Sequence, residues 1–180
     1  MKSRSFLLLH RLRHRLQHRL LAGFCTLPSR KAWQVSIALL GLYGLIFLPI
    51  GLGVGFLHWQ PVGGWEVAIW VAIGTFFMPG LAEEVLFRLL LLPHPTEPIG
   101  PLRRRNYIFA SWLLFLLYHL LPGTPAFFQT PGFLLGAGLL GITCTTSYLH
   151  SRSIWTAIFL HWVIVLIWLL GFGGLARFSG

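Results

Sequence analysis

The stretch Gly80-Leu-Ala-Glu-Glu-Val-Leu-Phe-Arg-Leu-Leu-Leu-Leu92 places two adjacent carboxylates, Glu83 and Glu84, in sequence that is otherwise apolar apart from Arg88. The whole chain has only 4 acidic residues, all of them glutamates. An ionisable group at the centre of a membrane helix costs roughly 2.5–3.5 kcal/mol on insertion scales, so such a group indicates a functional site. His119 and His161 lie in later apolar segments. Together the four side chains suggest a hydrolytic site inside a bilayer.

The composition predicts an integral membrane protein. Of the 180 residues, 56% are hydrophobic and 10% are charged, whereas about a quarter of the residues of a soluble domain are charged. We therefore expect an all-α fold, a polytopic bundle of about five transmembrane helices preceded by a basic amphipathic helix in the membrane interface.

The net charge of +10 does not indicate a nucleic-acid partner, because 8 of the 14 Lys and Arg residues lie in the first 31 positions. A basic segment beside a membrane span is typical of contact with anionic lipid headgroups and of a topology signal. The predicted partners are membrane lipids and a membrane-anchored peptide or protein substrate, and no pattern predicts an oligomeric state. Cys25 and Cys144 match no disulfide or ligand spacing and are expected to be free thiols.

Residues 1–31 form the predicted amphipathic segment, in which leucines at helical spacing alternate with arginines. An acid-free, arginine-rich N-terminus also resembles an organellar transit peptide, so an organellar membrane is the alternative to a plasma or inner membrane. The histidines at positions 10, 14 and 18 are interpreted as part of a solvated polar face.

The remaining chain divides by its charges and prolines. Residues 32–65 hold the first span and a loop, residues 66–171 a core of four spans, and residues 172–180 a tail. Pro79-Gly80 is expected to bend the second span just before the glutamates. The predicted spans are 33–57, 66–92, 107–121, 132–149 and 154–171. Small residues in the fourth span favour close helix packing, and the basic loops place the N-terminus in the cytoplasm.

Spacing assigns different tasks to the two glutamates. Glu84 and Arg88 lie four residues apart with the glutamate first, the better arrangement for an ion pair on one helix face. This pair is expected to be structural. Glu83, rotated by about 100°, has no cation at that spacing and is the better candidate for a general base.

The histidines lie at depths compatible with one cavity. At 1.5 Å per residue, Glu84 lies about 12 Å from Leu92, His119 about 18 Å from Tyr107 and His161 about 10 Å from Ile154. A lone intramembrane histidine is often only bonded to a backbone carbonyl, but polar groups in lipid must find partners. Glu83, Glu84, His119 and His161 are therefore the candidate catalytic residues. His94 and His150 adjoin loops and are expected to be solvated.

These residues carry a family resemblance. Glu83-Glu84-Val-Leu-Phe-Arg88 resembles the EExxxR motif of the CPBP intramembrane proteases, which include the CAAX proteases and the Abi, bacteriocin-processing type. Phe115-Leu-Leu-Tyr-His119 resembles their FxxxH motif, and His161 begins the segment that resembles their third motif, HxxxN or HxxxD. The resemblance covers about residues 66–171.

The resemblance implies an intramembrane endopeptidase that hydrolyses membrane-anchored or lipidated substrates. By analogy, Glu83 with His119 would activate water, and His161 would help to stabilise the oxyanion. Glu84 would support the site through Arg88, and Phe115 would be a further supporting residue.

One position departs from the family pattern. Val165 stands where the third motif has asparagine or aspartate, and valine neither donates nor accepts a hydrogen bond. The alternative function is therefore a catalytically silent member that acts as a membrane binding, immunity or assembly factor.

The cofactor is left open by the sequence. Glu83, His119 and His161 have the side chains to hold a divalent metal such as zinc with one open position for water. A metal-free site with water activated by glutamate explains the same residues. Haem with His119 and His161 as axial ligands would leave the glutamates without a role.

Overall fold

The computed structural model describes residues 2–178, and their regular secondary structure is helical apart from an isolated bridge between Gln60 and Phe172. The all-α expectation is confirmed. The α-helices are α1 Lys2–Cys25, α2 Arg30–Gly53, α3 Trp65–Thr75, α4 Ala82–Glu84, α5 Pro101–Tyr118, α6 Pro131–Ser151 and α7 Ile154–Gly171. Two π-helical stretches, Phe76–Leu81 and Val85–Leu90, join α3 and α4 into a longer unit, and Ala126–Gln129 and Leu175–Phe178 are short 3₁₀ helices. The unit Trp65–Leu90 is called the glutamate helix below.

This is a multi-pass membrane protein. Four helices are long and apolar enough to cross a bilayer: Arg30–Gly53, Trp65–Leu90, Pro131–Ser151 and Ile154–Gly171. The other predicted span is α5, whose first turns contain Arg103, Arg104 and Arg105. Its apolar part from Asn106 onward is about 20 Å long, shorter than a hydrocarbon core of about 30 Å. An expectation of about five spans is consistent with this architecture.

Helices α6 and α7 form the centre of the bundle, and α2, α5 and the glutamate helix pack around them. The glycines of α6 permit this close approach, as the small residues of this span predicted. A Cβ at Gly136 would lie 2.5 Å from Cζ of Phe47, and one at Gly141 would lie 3.2 Å from Cδ1 of Phe115. Larger side chains at these positions would push α2 and α5 away from α6.

The glutamate helix bends where the sequence predicted. Met78 has φ −139° and ψ 113°, so the chain leaves helical geometry there. Pro79 follows directly; it lacks an N–H and disfavours a helical conformation in the residue before it. The helix then resumes through α4, so Glu83 and Glu84 lie about one and a half turns beyond the break at Met78. The indole Nε1 of Trp162 donates to the carbonyl of Ala72 at 2.8 Å and ties the first half of the unit to α7.

The N-terminal helix α1 docks against the same bundle. Arg19 holds the carboxylate of Glu97 with Nε 2.7 Å from Oε1, and it donates to the carbonyl of Leu90 at 2.9 Å. The indole of Trp155 donates to the carbonyl of Phe24 at 3.0 Å. The second half of α1 therefore contacts the end of the glutamate helix and the start of α7.

The prediction of a solvated His94 is wrong, whereas His150 is exposed as expected. His94 is buried beneath α1, and its ring nitrogens lie 2.7 Å from Oγ1 of Thr96 and 3.2 Å from the carbonyl of Arg152. The sequence placed His94 in a proline-rich loop but gave no sign that α1 covers this loop. Cys25 and Cys144 are free thiols, as predicted.

Candidate active site

Glu84 and Arg88 form the predicted ion pair in the interior of the bundle. Nε of Arg88 lies 3.1 Å from Oε2 of Glu84, and both side chains are at most 1% exposed. Arg88 also donates to the carbonyl of Gly141 at 3.2 Å, and its guanidinium lies 5.0 Å from the centre of the Phe115 ring. A buried charge without a partner is strongly unfavourable, so each member of this pair requires the other.

His161 joins the pair to the second glutamate. Its Nδ1 lies 2.7 Å from Oε1 of Glu84, and its Nε2 lies 3.8 Å from Oε2 of Glu83. An ionised carboxylate can only accept, so Nδ1–H donates to Glu84 and directs Nε2 towards Glu83. Oε2 of Glu83 has no hydrogen-bond partner among the side chains that the structure describes. The separation of 3.8 Å is too long for a direct hydrogen bond.

His119 is the residue that follows α5, and one of its ring nitrogens is hydrogen-bonded to the backbone. Nδ1 lies 2.8 Å from the carbonyl of Phe115, which fixes the proton on Nδ1 and leaves Nε2 as an acceptor in the neutral ring. The hydroxyl of Thr124 donates to the carbonyl of His119 at 2.9 Å and closes the turn after the helix. The imidazole is therefore held in one orientation with its second nitrogen available.

Glu83, His119 and His161 line one cavity of about 650 Å³, and Val165 lies on its wall. Glu84 and Arg88 do not line it, so the two adjacent glutamates lie in different environments. Most of the lining is apolar and comes from α2, the glutamate helix, α6 and α7. The structure therefore brings together three of the four candidate catalytic residues at this surface and places the fourth behind them.

Phe115, the predicted supporting residue, packs against both histidines of the site. Its ring centre is 4.9 Å from that of His119 and 6.1 Å from that of His161, both edge to face. The ring is buried, and the Arg88 guanidinium lies 5.0 Å from its centre. The ring therefore fixes the spacing of the two histidines without taking a hydrogen bond.

The three residues considered for a metal do not form a compact ligand set. Among the described residues, the group with ligand atoms within 4.8 Å of one another is Glu84, Cys144 and His161. In that group, Glu84 already accepts from His161 and lies beside the Arg88 guanidinium, which disfavours an added cation. The described residues therefore present no group of three ligand atoms within 4.8 Å of one another that is free of an existing hydrogen bond or ion pair.

Sequence reasoning missed the contribution of α6 to this site. The carbonyl of Gly141 accepts from Arg88, and the buried thiol of Cys144 lies beside Glu84 and His161. The glycines of α6 could have indicated this contribution, because a helix face without side chains lets a neighbouring helix contact its backbone. Nothing in the local sequence of Cys144 indicates its position.

Comparison with known proteins adds one match. The family described as type II CAAX prenyl endopeptidase Rce1-like matches the chain over residues 64–167. No curated protein and no solved structure matches the chain. The matched region contains the glutamate pair, the candidate catalytic residues His119 and His161, and Val165.

Proposed function

Since the chain belongs to the Rce1-like family of type II CAAX prenyl endopeptidases, we propose that it is an intramembrane endopeptidase whose general base is Glu83. The observation that carries the proposal is the unequal surroundings of the two glutamates. Glu84 accepts a hydrogen bond from His161 and lies 3.1 Å from Nε of Arg88, whereas Glu83 lines the cavity and the ion-pair contact of its Oε2, to Nε2 of His161, is longer, at 3.8 Å.

In the proposed reaction, a water molecule lies between Glu83 and Nε2 of His119 and attacks the carbonyl carbon of the scissile peptide bond. Glu83 takes a proton from the water as the C–O bond forms, and the carbonyl becomes an oxyanion. Glu83 then returns the proton to the leaving amine as the C–N bond breaks. General acid–base catalysis of this kind contributes about 10²–10⁴ in rate.

His161 is proposed to stabilise the oxyanion. With both ring nitrogens protonated, Nδ1–H remains bonded to Glu84 and Nε2–H is the donor directed at the cavity. Removing one oxyanion donor from a hydrolase typically lowers kcat by about 10²–10³. Glu84 and Arg88 would be positioning residues, because they hold the His161 ring without lining the cavity.

The substrate is proposed to be a membrane-anchored or lipidated peptide. The apolar cavity of about 650 Å³ extends from the polar centre between membrane-spanning helices, so it can accept an acyl or prenyl chain next to the peptide. We propose that the N-terminus lies in the cytoplasm, because the basic loops meet at one end of the bundle.

The proposed mechanism uses no metal. The ligand atoms of Glu83, His119 and His161 do not all lie within 4.8 Å of one another. The group that does, Glu84, Cys144 and His161, includes a carboxylate already paired with Arg88. A carboxylate base alone is sufficient for the proton transfers above. Loss of activity with a chelator, restored by zinc, would contradict this part of the proposal.

The proposal is tested by cleavage of a panel of quenched, prenylated peptides in proteoliposomes, with and without a chelator. The comparison is between the wild type, Glu83→Gln and the matched control Glu66→Gln, which changes an exposed glutamate at the start of the same helix. We expect the wild type and Glu66→Gln to cleave with and without chelator, and Glu83→Gln to be inactive. Equal cleavage by Glu83→Gln would contradict the proposal, and a folded wild type that cleaves no peptide would favour a silent binding protein.

A further inference from the structure

A second pocket lies outside the proposed active site, between α1, the loop after the glutamate helix and the start of α5. It has a volume of about 390 Å³ and is called the basic pocket. Its polar lining is His14, Arg15, His18, Arg19, Thr96, Glu97, Arg103 and Tyr107. Glu97 is the one carboxylate in this described lining, and it is bound by two nitrogens of Arg19, at 2.7 and 3.1 Å.

The remaining cations of the basic pocket are free to bind a ligand. Among residues 2–178, no carboxylate lies within ion-pair distance of Arg15 or Arg103. Arg103 lies with its guanidinium 6.0 Å from the centre of the Tyr107 ring. His14 and His18 add imidazole N–H donors on the α1 side. The lining therefore presents two guanidinium groups from different helices to the same space.

The loop that forms the floor of the basic pocket is held in place by other residues. Arg104 donates to the carbonyls of His94, Pro95 and Glu97, at 3.4, 3.3 and 2.9 Å. Glu97 also accepts from the backbone N–H of His94 at 2.7 Å. Because these bonds fix the loop before any ligand arrives, little ordering is required when one binds.

We propose that the basic pocket binds a phosphate group, held between Arg15 of α1 and Arg103 of α5, and that an anionic phospholipid headgroup supplies it. Guanidinium groups bind phosphate oxygens through paired, charge-assisted hydrogen bonds. The pocket lies beside the ends of membrane-spanning helices, where lipid headgroups are concentrated. The inference goes beyond proteolysis, and binding can be measured on a protein that cleaves nothing.

The test uses the full-length protein purified in an uncharged detergent, and it measures binding of three probes. These are dioctanoyl-phosphatidylglycerol, dioctanoylglycerol without phosphate, and inorganic phosphate. The pocket variant is Arg15→Gln with Arg103→Gln. The matched control is Arg13→Gln with Arg105→Gln, which removes the same charge from the exposed surface of the same two helices outside the pocket.

We expect phosphatidylglycerol to bind more tightly than dioctanoylglycerol, and the pocket variant to weaken this binding on the order of tenfold or more. The control variant should bind phosphatidylglycerol as the wild type does. Inorganic phosphate that binds as tightly as the lipid, with the same dependence on the two arginines, would support the phosphate site but identify free phosphate as its source.

Equal binding by the pocket and control variants, or equal binding of both lipids, would overturn the proposal. Thermal unfolding of each variant shows whether it is folded. Should the double variant fail to fold, the single changes Arg15→Gln and Arg103→Gln take its place, each compared with Arg13→Gln or Arg105→Gln.

Discussion

His161 and Glu84, 77 residues apart in the chain, are joined by a 2.7 Å contact between Nδ1 and Oε1. This contact links the glutamate helix to α7 and gives the imidazole a fixed direction. The same carboxylate lies 3.1 Å from Arg88 through its other oxygen. Glu84 therefore connects two buried polar groups, His161 and Arg88, whereas its neighbour Glu83 faces the cavity.

Replacing Glu84 by glutamine is expected to destabilise the fold. Arg88 would keep its buried charge without a counterion, and breaking such a pair costs about 3–5 kcal/mol. Thermal unfolding in detergent measures the change, with Glu83→Gln as the matched variant at the adjacent position. Equal stability of the two variants would contradict the division of roles between the glutamates.

Gly141→Val is expected to disrupt the contact between α5 and α6. Even a Cβ would lie 3.1 Å from Cδ1 of Trp112, so the larger side chain must displace the aromatic rings, at about 1–3 kcal/mol. It would also disturb the carbonyl that accepts from Arg88, so cleavage should fall together with the melting temperature. The control is Gly138→Ala, whose Cβ would meet its nearest neighbour at 3.7 Å and should be tolerated.

Docking of α1 is expected to weaken in acid. Burial alone would raise the pKa of Glu97, but the hydrogen bonds from Arg19 and from the His94 backbone outweigh it and hold this pKa below its usual range. A carboxylate with a lowered pKa in the folded state contributes stability above its unfolded pKa of about 4.3, and this stability is lost as the pH falls through the folded value.

Hydrogen exchange of residues 12–24, corrected for the intrinsic effect of pH, measures this docking. Protection should decrease as the pH falls below about 6.5, because burial lowers the pKa of His94 beneath α1, and it should decrease further below about pH 4 as Glu97 is protonated. In Glu97→Gln, protection should be lower at neutral pH and should change less with acid. An unchanged acid profile in that variant would show that another group controls the docking.

Val165→Asn is expected to increase the rate of cleavage. Position 165 lies on the cavity wall one turn from His161, so an amide there can donate to the developing oxyanion. One such donor is typically worth about 10²–10³ in kcat. Val163→Asn, which places the same amide on α7 away from the cavity lining, should not increase kcat. A lower rate for Val165→Asn would show that the apolar wall is required.

Much of this architecture could be predicted because it depends on local patterns. Pro79 determines the break in the glutamate helix, and the four-residue spacing determines the pairing of Glu84 with Arg88. The partner of His161 could not be predicted, because the rotation of α7 about its axis depends on packing between distant segments. The burial of His94 was missed for the same reason, since α1 covers it through contacts between distant segments such as that of Arg19 with Glu97.

The most direct test of the account is the ratio of kcat/KM between the wild type and Glu83→Gln, measured in proteoliposomes on one prenylated peptide that the wild type cleaves. Both proteins are first shown to unfold at similar temperatures, so the ratio reports chemistry. If Glu83 is the general base, kcat/KM of Glu83→Gln should fall by at least about 10², and that of Glu66→Gln should not change. A folded Glu83→Gln protein that retains the wild-type kcat/KM would contradict the assignment of Glu83 as the base.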